Sequence, residues 1–266
     1  MLFRRIALAG LMSLSLSLPA FAAQCGKTAA GFSAWLADFR QEAAAAGISG
    51  KALAALDGLS YDTQVIRLDR NQKAFKASYE SFVAQRVTPR LGRAKAKLKQ
   101  HGKLLSGIET RYGVPKEIIV AIWAMETDFG ANRGNMNVFR SLATLAYDCR
   151  RSAFFTNELL SALKIIQRGD LSASTMRGAW AGEVGQTQFL ASSYLKYAVD
   201  FDGNGRRDLI RSKADALAST ANYLKAYGWK AGQPWTEGTH NFSVLAGWNK
   251  ATVYQQTIAT LASRIQ

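Results

Sequence analysis

Glu126 stands near the end of a run of apolar and aromatic residues, IVAIWAMETDFG at 119–130. A carboxylate among such neighbours loses water, and burial without a charged partner favours its protonated form. A carboxylic acid that keeps its proton near neutral pH can serve as a general acid. The bland alternative is a core helix whose acid turns outward in its last turn. The spacing of Ile118, Ile119, Ile122 and Trp123 predicts that helix. Pro115 suits its first turn, and Gly130 suits its C-terminal end. Glu126 then sits where the negative end of the helix dipole adds to desolvation.

Ordinary glycoside hydrolysis uses a pair of carboxyls flanking the scissile bond. Asp128 is too near Glu126 in sequence to share its helix face. Glu183, in AGEVGQTQF at 181–189, is the other candidate, and the sequence leaves its distance from Glu126 open. If Glu126 acts alone, the substrate must bring its own nucleophile. His101 and His240 are the only histidines, and neither has a metal-ligand spacing. No GxSxG, GxGxxG or Walker motif is present.

The segment DFDGNGRRD at 200–208 has the spacing of the first half of an EF-hand loop. Asp200, Asp202 and Asn204 offer side-chain oxygens, Gly205 takes the sharp turn, and Arg206 offers its carbonyl. Arg211 stands at the twelfth position, where a Glu belongs, and Asp215 is the nearest substitute. A divalent cation, with calcium foremost, is expected there; an Asx-rich turn is the alternative.

The chain opens with MLFRR, a short apolar stretch and Ala20-Phe21-Ala22. This is the pattern of a signal peptide over 1–22. Gln24 before Cys25 does not suit a lipoprotein cleavage site, so the expected product is soluble and exported to the periplasm. An oxidising compartment permits a Cys25–Cys149 disulfide that ties the N-terminus to the body; two separate thiols are the alternative. The formal net charge of +15 favours an anionic polymer as partner. Export argues against nucleic acid and for cell-wall glycan.

The pattern around these residues is predominantly helical, with only a weak strand signal. Helices are expected over 31–47, 53–56, 63–82, 91–105, 108–112, 140–147, 154–167, 192–199, 213–227 and 253–264. The basic face of 91–105, LGRAKAKLKQHGKLL, is either solvated or a strip for a polyanion. Irregular loops over 130–137 and 229–241 are expected to form short hairpins. The composition changes at Ser106, dividing an N-terminal helical segment, 23–105, from a core, 106–266. With no heptads and no bare apolar face, a monomer is expected.

WAMETDFG, LAYDCRRSAFF, AGEVGQTQFLASSYLKYAVDFDGNGRRD and LASTANYLKAYGW together resemble the family 103 lytic murein transglycosylases of the membrane-bound lytic transglycosylase B type. The resemblance covers residues 60–265. It implies a mainly α fold, an α+β lysozyme-like core with an extra helical subdomain and an EF-hand-like loop. It implies cleavage of the β-1,4 bond between N-acetylmuramic acid and N-acetylglucosamine in peptidoglycan, leaving 1,6-anhydromuramyl ends. Glu126 matches the catalytic glutamate, acting as acid and then as base, with no catalytic cofactor and a structural Ca2+ in the loop ending at Asp215.

By the same resemblance, Arg150 and Arg151 would hold substrate carboxylates, and Gln188 an N-acetyl group. Tyr223 would stack on a sugar, Asn249 would orient the substrate, and Tyr254 would wall the cleft. Read singly, these are surface arginines, a core aromatic and a helix cap. Ala179, Thr127, Asp128, Phe154 and Glu183 depart from the family pattern. Glu183 would pair with an arginine, or would supply the second carboxylate of a hydrolysing muramidase. A non-catalytic peptidoglycan-binding protein is the third reading.

Overall fold

The computed structural model describes residues 24–72 and 78–266. The signal peptide expected over 1–22 lies outside the described residues. The described residues up to Tyr112 are mainly helical: α1 (Phe32–Ala45), α2 (Gly50–Leu53), α3 (Thr63–Arg70), α4 (Tyr79–Arg86), α5 (Leu91–Gln100) and α6 (Gly102–Tyr112). Two expected helices are each divided. The helix expected over 63–82 is interrupted, because α3 closes at Asn71 and α4 starts afresh after Ser78, whose hydroxyl accepts the Ser81 N–H; residues 73–77 lie outside the described residues. The helix expected over 91–105 breaks at His101, whose backbone leaves the helical region just before Gly102.

Next comes α7 (Lys116–Thr127), opened by Pro115 as expected. Its β-branched Ile118, Ile119, Val120 and Ile122 are mediocre helix formers. Tertiary burial overrides that preference, since residues 118–124 are all fully enclosed. The helix stops at Thr127 rather than at Gly130. Thr127 turns its hydroxyl to the Gln186 carbonyl and accepts the Gly130 N–H, while Asp128 and Phe129 take left-handed backbone conformations.

Strand β1 (Met136–Asn137) leads into α8 (Val138–Tyr147) and α9 (Ser152–Arg168), followed by β2 (Arg177–Gly178). β1 and β2 pair antiparallel, with Met136 opposite Gly178. The 130–137 loop therefore pairs with a distant partner rather than within itself. The 229–241 loop forms no strand and is held by the Asn241 side chain, bonded to Lys230 and Gln233. The chain ends with α10 (Ala191–Tyr197), α11 (Lys213–Ala226), α12 (His240–Trp248) and α13 (Thr252–Ile265). Sequence patterning missed α12.

Two apolar cores result. One joins α1 and α2 to α8, α9 and α10; the other wraps α4 to α7 with α11, α12 and α13 around Trp123. Each takes residues from both sides of residue 105. Trp248 packs against both cores. The Cys25–Cys149 disulfide is formed and fastens the N-terminus beside α8.

Candidate active site

A cavity of about 360 Å³ opens where the two cores meet. The C-terminal turn of α7 brings Glu126 to it. The loop after β2 brings Ala179, Trp180, Glu183, Gln188 and Phe189; α11 brings Tyr223, and the end of α12 brings Trp248 and Asn249. Gly178 makes this loop possible. A Cβ there would sit 1.9 Å from the Glu183 carbonyl oxygen, so no larger residue fits without moving the backbone.

Glu126 is held from one side. The Trp248 indole N–H donates to Oε1 at 2.8 Å, and the Tyr254 hydroxyl donates to the same oxygen at 2.7 Å. Oε2 receives no donor among the described residues. The proton of the neutral acid therefore belongs on Oε2, because Oε1 already accepts two hydrogen bonds. Burial raises the Glu126 pKa; the two donors pull it down by less, and the nearby Glu183 carboxyl pushes it up further. The expected role of the helix dipole needs correction. Arg90 donates to the Ala124 carbonyl, and Arg93 grips both oxygens of Asp128 at 2.7 Å. The negative end of α7 thus meets two guanidinium groups, and the raised pKa of Glu126 comes from desolvation.

The other expected residues fall in three groups. Gln188 and Asn249 line the cavity with Glu126. Gln188 adopts a left-handed conformation (φ 52°) and donates Nε2 to the Arg133 and Gly185 carbonyls, and its own oxygen has no donor among the described residues. Asn249 accepts the Ala251 N–H, a capping contact before α13, so both readings of this residue meet in one side chain. Among the described residues the non-glycine positions with positive φ are Gln188, which lines this cavity, and Asp128 and Phe129, which follow Glu126 by two and three residues. Strain of that kind persists where the surroundings enforce it and clusters at functional sites.

Tyr223 reaches the cavity, but it is largely buried. Its hydroxyl donates to the Gly247 carbonyl, and its ring stacks on Tyr227 at 4.5 Å. Tyr254, expected as a cleft wall, is enclosed, and its hydroxyl faces Glu126; burial raises its own pKa, so it acts as a donor. Arg150 and Arg151 are absent from the lining and both bind Asp69, Arg151 at 2.6 Å. Burial alone would raise the Asp69 pKa, but these guanidinium groups hold it below its ordinary value. Among the described residues Glu183 forms no ion pair with an arginine, contrary to expectation; Arg151 acts on it only at longer range.

Trp248 was not singled out from the sequence. Its position directly before Asn249, in WNKATVYQQ, was the available signal.

In the 200–215 loop, oxygens of Asp200, Asp202 and Asp215 lie within 4.8 Å of one another. Backbone N–H groups of Gly203, Asn204 and Gly205 point at Asp200, and those of Phe201 and Asp208 at Asp215. Asn204 bonds its side-chain oxygen to the Arg206 N–H. Convergent hard oxygens suit a divalent cation of the calcium type.

Residues 31–238 match the family described as the transglycosylase SLT domain. The chain belongs to that family. Over 122 residues it is 42% identical to membrane-bound lytic murein transglycosylase B of Escherichia coli, covering 46% of this chain and 34% of that relative. The matched stretch thus spans about a third of the relative's length.

Among solved structures, SltB3 from Pseudomonas aeruginosa, in complex with NAG-anhNAM-pentapeptide, superposes with a TM-score of 0.83 at 37% identity. That match covers 87% of this chain and 78% of SltB3. The same protein has been solved with NAG-NAM-pentapeptide. Escherichia coli lytic transglycosylase Slt35 in complex with calcium has a TM-score of 0.79 at 24% identity, over 92% of this chain and 96% of Slt35, a likeness of fold. The mainly helical architecture of this SLT-domain protein is thus the lysozyme-like one of lytic transglycosylases.

Proposed function

We propose that this SLT-domain protein is an exported lytic transglycosylase that cleaves peptidoglycan between N-acetylmuramic acid and N-acetylglucosamine. The observation that carries this reading is Glu126: a desolvated acid with a raised pKa, one oxygen clamped by Trp248 and Tyr254 and the other without a donor among the described residues, in a cavity of about 360 Å³. The ligands of SltB3, one with an anhydro sugar and one without, support the same chemistry.

In the first step Glu126 Oε2 gives its proton to the glycosidic oxygen as the bond to C1 breaks. The sugar's own acetamido oxygen shields the electron-poor C1. In the second step the Glu126 carboxylate takes the proton of the C6 hydroxyl as O6 closes on C1. The proton returns to Glu126, no water enters, and a 1,6-anhydro ring results. A raised pKa serves both steps: it keeps the acid loaded and makes the carboxylate a better base.

Gln188 and Asn249 are read as groups that orient the substrate amides, and Arg150 and Arg151 as a flanking basic pair whose first duty is Asp69. The basic surface would hold the enzyme on anionic wall material as a soluble periplasmic monomer, with no nucleic-acid partner. Asp200, Asp202, Asp215, the Asn204 side chain and the Arg206 carbonyl would hold a structural Ca2+. The ion would steady the loop and supply no chemistry to the reaction.

Glu126→Gln keeps the shape and removes the transferable proton. Loss of soluble-fragment release from sacculi is expected, and a variant as fast as the parent sinks the assignment. A second reading, a hydrolysing muramidase with Glu183 as base, draws on the placement of Glu183 in the same cavity. Its raised pKa opposes that role, because a base must be ionised. Product masses decide between them: anhydro ends are one water lighter than hydrolysed ends.

A further inference from the structure

Glu183 shares the cavity with Glu126 and takes no part in the proton transfers above. The backbone around it is braced. Its carbonyl oxygen accepts the Ala179 N–H at 3.0 Å, and the next residue, Val184, exchanges two hydrogen bonds of 2.9 Å with Phe189. The side chain is thus presented to the cavity from a fixed loop. Its Oε2 is enclosed and has no hydrogen-bond partner among the described residues. Among those residues no lysine or arginine pairs with this carboxyl, and the neighbouring Arg150 and Arg151 both bind Asp69. The other carboxyls that act on it are Glu126 of α7 and Glu158 of α9. An enclosed carboxylate oxygen without donor or cation is costly, whereas a carbonyl oxygen with unused lone pairs is tolerated. The surroundings therefore suit the neutral acid. Oε2 is its carbonyl oxygen, and Oε1 carries the proton as a hydroxyl on the cavity side. The pKa agrees in direction: burial raises it, the backbone N–H groups of Glu183 and Ala181 and the Arg151 cation offset part of the rise, and Glu158 adds to it.

Resting on the glycan-cleaving reading of this site, we infer that Glu183 is a substrate-binding residue whose uncharged carboxyl donates a hydrogen bond to an acetamido carbonyl oxygen of the bound glycan. An acetamide has one N–H to give and one carbonyl to be met. Gln188, on the same loop and the same wall, uses its Nε2 on the Arg133 and Gly185 carbonyls, and its oxygen is left as an acceptor. Glu183 supplies the donor that Gln188 lacks. A protonated carboxyl can give this bond and an ionised one cannot. A carboxylate here would also repel the carboxylates that a peptidoglycan strand carries. The residue thus favours N-acetylated sugars while adding no charge beside Glu126.

The test is calorimetric binding of soluble peptidoglycan strands to the Glu126→Gln variant, which holds substrate without cleaving it. Binding is compared with and without a second change, Glu183→Gln or Glu183→Ala, from pH 5 to pH 9, with a melting curve for each protein. Glu183→Gln keeps a neutral donor and binds within about twofold of the single variant. Glu183→Ala binds about three- to tenfold more weakly, the worth of one hydrogen bond. The affinity ratio of Glu183→Gln to the single variant stays constant while the acid is neutral and grows once it ionises. Strands carrying 13C at the acetamido carbonyls read the contact directly: the bound resonance moves downfield with Glu or Gln at position 183 and moves less with Ala. Glu183→Gln binding as weakly as Glu183→Ala, or the single variant gaining on Glu183→Gln as pH rises, shows that the site uses the charge and overturns the inference. Equal affinity with Ala, or the same carbonyl shift in all three proteins, also overturns it. A parent that yields hydrolysed ends sinks the proposed function instead and leaves the binding comparison standing; strands that bind none of the proteins sink both.

Discussion

Tyr254 donates its hydroxyl to Glu126 Oε1 at 2.7 Å across 128 residues of chain, and Trp248 meets the same oxygen from α12. The two donors fix the carboxyl plane and stabilise its ionised form. Tyr254→Phe removes one of them without opening a cavity. A hydrogen bond to a charged group contributes about 1.5–3 kcal/mol, so a loss of roughly ten- to a hundredfold in kcat is expected. The alkaline limb moves to higher pH, because the lost hydrogen bond had lowered the Glu126 pKa. Steady-state rates on glycan strands check both, and an unchanged rate removes Tyr254 from the machinery.

That relationship was illegible in the sequence, whereas Glu126 itself was not. A lone acid among Ile119, Ile122 and Trp123 declares its environment locally, because helical periodicity fixes which neighbours it has. The donors come from helices more than a hundred residues away, and no local pattern sets their register. The α12 helix was missed because HNFSVLAGW is short, contains Gly247 and follows a polar loop; its Thr239 cap was the available clue. Strands β1 and β2 are too short to show alternation. The acid-rich 200–215 loop was readable because its ligand oxygens lie close together in the chain, as Glu126 and Tyr254 do not.

Arg150 and Arg151 meet Asp69, which is 3% exposed, and the adjacent Arg70 binds both oxygens of Asp148. Arg150→Ala is expected to lower the melting temperature, because it leaves a buried carboxylate short of a partner. The pH dependence has a definite sign. The Asp69 pKa is depressed in the folded protein, so its contribution is present above the unfolded value and is lost as pH falls through the folded one. Melting curves from pH 7 to pH 2 should therefore converge for parent and variant at the acid end. A variant that melts like the parent but shows a raised KM assigns Arg150 to the substrate instead.

Cys25 and Cys149 close a loop of 124 residues. Replacing both by Ser is expected to cost about 2–4 kcal/mol, chiefly by freeing the unfolded chain. Differential scanning calorimetry of the parent with and without reductant measures the same quantity without substitution. Activity at low temperature should persist, since neither cysteine lines the cavity. Equal melting temperatures in both conditions contradict the bridge.

Gly178 lies where β2 turns into the loop that carries Glu183 and Gln188. A Cβ at this position collides with the Glu183 carbonyl oxygen, a backbone atom that no rotamer change can move. Gly178→Ala is expected to destabilise the fold by more than about 2 kcal/mol or to displace the loop. Either outcome lowers activity far more than Gly50→Ala, whose Cβ meets nothing within 4 Å. Urea denaturation of the two variants side by side checks the contrast.

Asp215 belongs to the first turn of α11, the helix that carries Tyr223 to the cavity wall. A cation shared by Asp200, Asp202 and Asp215 would link the 200–215 loop to that helix and bind the folded chain alone. Ligand at a hundred times its Kd adds about 2.7 kcal/mol, so millimolar Ca2+ should raise the melting temperature by several degrees and chelator should reverse the gain. Asp202→Asn removes one charge from the oxygen set and should shrink the Ca2+-dependent shift while leaving the calcium-free melt near that of the parent. Mg2+ requires near-ideal octahedral geometry and should shift the melt less than Ca2+. Identical melts in calcium and in chelator would show that backbone N–H groups alone satisfy these carboxylates, as they already reach both Asp200 oxygens.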